Sequence, residues 1–196
     1  MRVEFCESQS GIGIPYPAVE RTDGHSNYGY FDLKRKPDLI DTVVELQDSL
    51  ELMALVREMN DPRSVVRSLA CEKALSENRD LVFQWKLTSF VRLSFEILAW
   101  NFAKDNYRKL YDQFADSATP HLLSDLISIE FEVDPANFVD HQKNGWSLTI
   151  WNNGYGRTGD EARSNWATGV RLVEQFFAYQ RMRWQGELDK GLVTVS

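Results

Sequence analysis

Between Trp151 and Trp166 the chain reads Gly154-Tyr155-Gly156-Arg157-Thr158-Gly159, a formal G-x-G-x-x-G. Such a loop brings backbone N–H groups close to a phosphate at a helix N-terminus, and Arg157 could pair with the same anion. A dinucleotide fold also needs a second strand with an acidic residue about 20 residues on. That position falls near Tyr179, inside a helical pattern, and fewer than 40 residues remain after the loop. No Gly-Lys-Ser or Gly-Lys-Thr follows, so a P-loop is excluded. Thr158 to Glu161 instead spells a capping box, and Asp160 and Glu161 place negative charge where a phosphate would sit. The preferred reading is a capped strand-to-helix turn whose glycines supply positive φ.

Four other groups of residues could do chemistry. Asp23 could orient His25, with Ser26 as a nucleophile, but the segment resembles no nucleophile elbow and reads as an Asx-turn loop. His121 and Asp125 are spaced for one helix face and Asp140 precedes His141, yet no third ligand stands at readable spacing and no metal is expected. Glu130 and Glu132 point to the same side of a strand, where like charges could raise one pKa; a solvent-facing polar face explains them more simply. Lys34-Arg35-Lys36 and Arg181-Met182-Arg183-Trp184 are basic, the second with an aromatic that could stack a base. Both suit a helix-flanking role, and cations favour a helix C-terminus.

Charge weighs against nucleic acid as well. Lys and Arg number 22 against 29 Asp and Glu, for a net charge of −7, whereas a phosphate-coating or membrane-surface protein needs a basic face. The acidity mildly favours a basic protein partner, although moderate negative charge that simply keeps the protein soluble explains it more readily. Cys6 and Cys71 show no zinc or redox spacing and read as reduced thiols in a cytoplasmic protein. The first residues lack an apolar signal-peptide core, and no apolar run reaches the roughly 18 residues of a membrane span.

These groups need elements to position them. Arg2 to Cys6 reads as a strand and Gly11 to Gly29 as a long loop. Apolar spacing predicts a helix from Pro37 to Met59, and Asp61-Pro62 a second one to about Leu75. From Leu81 to Trp100 the residues alternate like a hairpin, yet Gln84, Thr88, Arg92 and Glu96 form a polar line at spacing four. One long helix capped by Asp80 and continuing to Phe114 is preferred. A short helical turn is expected at Thr119-Pro120. Ile127 to Val133 and Trp146 to Trp151 read as antiparallel strands, the first ended by Asp134-Pro135, and the last helix runs from Gly159 to Gln185.

The expected fold is a single α+β domain over residues 1–196, mostly helical with a small antiparallel sheet. No complete catalytic set assembles and no cofactor is implied. Acidity and 12% aromatic content suit an interface, so the expected function is a non-catalytic protein-binding module of inhibitor, immunity or adaptor type. Its anchors would be Tyr28, Tyr30, Trp151, Tyr155 and Arg157. The alternative is a small enzyme or anion binder using His25, Arg157, Thr158, Gly154, Gly156 and Gly159. The oligomeric state is not legible.

Overall fold

The computed structural model describes residues 1–20, 26–77, 82–118 and 125–189. Its centre is a six-stranded mixed sheet. The strands are β1 (Arg2–Glu7), β2 (Ile12–Ile14), β5 (Val66–Glu77), β6 (Trp85–Phe95), β7 (Ile127–Phe138) and β8 (Lys143–Gly156). Across the sheet the order is β1-β7-β8-β6-β5, and β2 lies beside β7 in line with β1. β1 and β2 run parallel to β7, and the other pairings are antiparallel. The short strands β3 (Val19–Glu20) and β4 (Ser26–Asn27) pair separately, so the segment expected as one loop is partly ordered into strands.

The α+β class holds, but the expected balance does not. The sheet is large and mixed rather than small and antiparallel, and two segments read as helix are its strands. After Asp61-Pro62 the chain turns instead of coiling. The Asp61 carboxylate accepts the Arg63 N–H at 2.9 Å and the Asp61 carbonyl accepts the Ser64 N–H at 2.8 Å, which closes a tight turn into β5.

The preferred long helix from Leu81 fails for a geometric reason. Spacing four returns to the same side of a strand as well as of a helix, so Thr88 and Arg92 fit both. The inward row of β6 is Leu87, Ser89, Val91, Leu93 and Phe95. Ser89 hides the alternation, and it is tolerated in the core because its hydroxyl accepts the Trp166 indole N–H at 2.8 Å. The helical part of that reading survives as a 3-10 turn, Leu98–Phe102, and as α2 (Lys104–Ala118); Asp80 and Leu81 lie outside the described residues, as does Thr119-Pro120.

Asp134-Pro135 does not end β7 either. The Val133 carbonyl faces the β1 edge, where it accepts the Ser8 N–H at 2.9 Å. Pro135, two residues on, faces the same edge, in the gap after Glu7 pairs with Val133 and before Ile12 pairs with Ala136. Its missing donor therefore breaks no ladder.

The helix predicted over Pro37 to Met59 is divided into two 3-10 turns, Pro37–Thr42 and Val44–Leu46, followed by α1 (Leu50–Met59) with Ser49 at its N-cap. The last helix, α3 (Gly159–Asp189), carries Trp166, Val170, Val173 and Phe177 along one side, all buried against the sheet. Phe5 of β1 and Phe131 of β7 meet Tyr111 of α2 on that same face. All three helices thus share one face with the main core. On the opposite face, among the described residues, a smaller cluster of Ile14, Leu69, Ala136 and Phe138, with Tyr30, Leu98 and Phe102 against it, covers one end of the strands. Among the described residues no helix is long and apolar enough to cross a membrane.

Candidate functional site

The glycine motif is not an open loop. Gly154 and Gly156 belong to β8, and neither has a positive φ. They are small because α3 lies directly on them: a Cβ on Gly154 would come within 2.2 Å of the Trp166 nitrogen, and one on Gly156 within 2.4 Å of the Ala162 nitrogen. The capping box is formed. Thr158 Oγ1 accepts the Glu161 N–H at 3.2 Å and Glu161 Oε2 accepts the Arg157 N–H at 2.7 Å. Two of the N–H groups an anion would seek, those of Arg157 and Glu161, are thus taken by the chain's own side chains. Thr158→Ala should therefore cost about 1 kcal/mol of stability by chemical unfolding, and an unchanged midpoint would show that the cap contributes nothing.

Other expected sites are separated or already paired. His25 and His121 lie outside the described residues. Among the described residues no three His, Cys, Asp or Glu side chains stand close enough to hold a metal ion. Lys34 is turned inward onto the carbonyls of Ser64 and Val66, and Arg181 forks onto Glu58. A cavity of about 340 Å³ beside α1 is rimmed by Asp38, Asp41 and Asp61. There Arg57 pairs with Asp41 at 2.9 Å and Arg63 with Asp61 at 3.1 Å.

The sheet face away from the helices is different. Strand alternation and register set a straight row across five strands: Glu4, Glu130, Trp151, Phe90, Glu72. The Trp151 and Phe90 rings stand 5.0 Å apart, tilted at 55°. Trp151 Nε1 donates to Glu132 Oε2 at 2.7 Å, which fixes the indole. Glu130 Oε1 accepts the Cys6 thiol proton at 2.9 Å. Burial, with the carboxylates around it, pushes that thiol up to about 12, so Cys6 is a hydrogen-bond donor and no nucleophile at neutral pH.

One row further on, Arg92 donates to Thr149 Oγ1 at 2.8 Å and stands 3.3 Å from Asp134, which also accepts the Thr149 hydroxyl at 2.6 Å. On the other side of the aromatic row, Thr88 donates to Asn153 Oδ1, and Lys86 lies over the Tyr155 ring. Arg2 pairs with Glu4. The cations of this face are thus already committed, and among the described residues Glu130 and Glu132 make no ion pair.

Of the five expected anchors, Trp151 and Tyr155 share this face and are half-buried. Arg157 is exposed just beyond it, at the turn into α3. Tyr30 packs with Tyr16 in the small cluster beside Ala136 and Phe138, which pair with Gly145 and Lys143. Ten residues of β8 separate that end from Tyr155, roughly 30 Å at 3.3 Å per residue. Tyr28, half exposed, is on the same N-terminal segment as Tyr30.

Glu130 and Glu132 were legible as a pair on one strand face. Phe90, Glu72 and Arg92 were not, because they join that face only when β5 and β6 are strands in register. No protein-family model, no curated protein and no solved structure matches this chain.

Proposed function

We propose that this is a non-catalytic protein-binding module of inhibitor, immunity or adaptor type, acting in the cytoplasm on a basic partner through the open sheet face. The observation that carries the reading is the row Glu4-Glu130-Trp151-Phe90-Glu72, an aromatic pair flanked by carboxylates on a broad surface. Aromatic side chains held rigid at the centre of a patch are the usual energetic anchors of protein interfaces. The uncompensated carboxylates beside them favour a cationic surface.

The test is capture of the partner by immobilised protein, with Trp151→Ala, a Glu130→Lys, Glu132→Lys double variant and Tyr28→Ala as a distant control. Thermal melts must show all three folded. We expect capture to fall at least tenfold in the two face variants and to persist in the control, with wild-type affinity weakening as salt rises. Equal capture by all folded variants would overturn the proposal.

A further inference from the structure

Resting on that reading, we infer that the partner presents an arginine whose guanidinium lies flat on Trp151 and forks onto Glu130. Three features of the face converge on this side chain. First, the indole is pre-oriented: Glu132 holds its N–H, and Phe90 supports it from the neighbouring strand. A ring already fixed loses little freedom when a flat cation stacks on it. Second, Glu130 is the direct cross-strand neighbour of Trp151, about 4.8 Å away in the sheet. A guanidinium stacked on the indole lies beside this residue, whose carboxylate also accepts from Cys6 of β1.

Third, among the described residues Glu130 forms no ion pair, and the nearby Arg2 guanidinium is bound to Glu4. Arg92 serves Asp134 and Thr149, Arg2 serves Glu4, and Lys86 sits on Tyr155. The Cys6 thiol occupies only one lone pair of Glu130 Oε1, leaving the rest of the carboxylate for a two-pronged donor. Arginine meets both demands at once, since its planar fork stacks and donates in parallel, whereas an ammonium is a hydrated point charge that does neither as well. Glu132 acts here as a positioning residue for the ring rather than as the cation's ligand.

The experiment uses two capped pentapeptides, Gly-Arg-Gly-Arg-Gly and Gly-Lys-Gly-Lys-Gly, titrated into the full chain at low salt. The readout is the Trp151 indole N–H resonance, assigned with Trp151→Phe. The arginine peptide should shift that resonance and bind about three- to tenfold more tightly than the lysine peptide. Glu130→Gln, a near-isosteric change that keeps the fold, should abolish the preference. Equal affinities would overturn the arginine assignment while leaving a basic partner in place. An unmoved resonance with both peptides would also overturn it; if partner capture is in addition indifferent to Trp151→Ala, the reading of the whole face fails.

Discussion

Gly154→Ala should lower stability by more than about 3 kcal/mol, or prevent folding. The new methyl would stand 2.2 Å from the Trp166 nitrogen, 2.4 Å from the Ala162 carbonyl oxygen and 2.6 Å from the Trp166 Cα. All three are backbone atoms of α3, so no side-chain rotation relieves the overlap, and the helix would have to lift from the sheet. Trp166, fully buried and bonded to Ser89, would move with it. Gly156→Ala meets the Ala162 nitrogen at 2.4 Å and should be nearly as damaging. Gly159→Ala is the contrast. Its methyl would find nothing closer than 4.0 Å, and at a helix start without positive φ the change should be neutral or stabilise by up to about 1 kcal/mol. Urea unfolding of the three variants decides the matter. A tolerated alanine at 154, or a Gly159 variant as damaged as the Gly154 one, would show that close helix packing is not why these glycines are there.

That contrast also marks where the sequence was readable. The motif's position at a strand-to-helix junction was legible, as was the capping box, because both depend on neighbours along the chain. The reason for Gly154 and Gly156 was not, since it lies in residues six to twelve positions away on a helix that folds back. The same limit explains the sheet. Ile127 to Val133 alternates without interruption and Trp166 to Phe177 keeps one helical stripe, so each declares itself locally. Leu87 to Phe95 contains Ser89 at an inward position, and only its bond to Trp166 makes that serine a core residue. β5 is an edge strand whose outer half is exposed, and Ala, Leu, Glu and Lys there favour a helix until β6 supplies the ladder. With β5 and β6 misread, Glu130 and Glu132 were visible as a pair but their aromatic neighbour Phe90 was not.

The second large effect is expected at Arg92. Asp134 is buried, with the Thr149 hydroxyl, the Arg92 guanidinium and Ser8 as its partners. Replacing Arg92 by Met keeps the apolar stem and removes the charge, leaving a buried carboxylate uncompensated. The cost at neutral pH should be about 3 kcal/mol, the lower end of the range for a broken buried pair, because Arg92 is itself a fifth exposed. Burial already raises the Asp134 pKa, and the Thr149 hydrogen bond, the Arg92 charge and a hydrogen bond from Ser8 oppose that rise. Without Arg92 it should rise further. A carboxyl whose folded pKa exceeds its unfolded value favours folding below the unfolded pKa and disfavours it as pH climbs through the folded one. The deficit of Arg92→Met relative to wild type should therefore be largest near pH 7 and shrink on acidification, as Asp134 takes up its proton. Adding Asp134→Asn should recover much of the loss at neutral pH, since the amide oxygen can still accept from Thr149 with no charge to solvate. Denaturant unfolding of the single and double variants at pH 7 and pH 5 tests both points. A deficit independent of pH, or a double variant no better than the single one, would mean that Arg92 acts by packing alone. If the coupling is found, it also bears on the open face: a guanidinium held by Asp134 is not free for Glu130 one row away, which keeps that carboxylate available to a cation from outside.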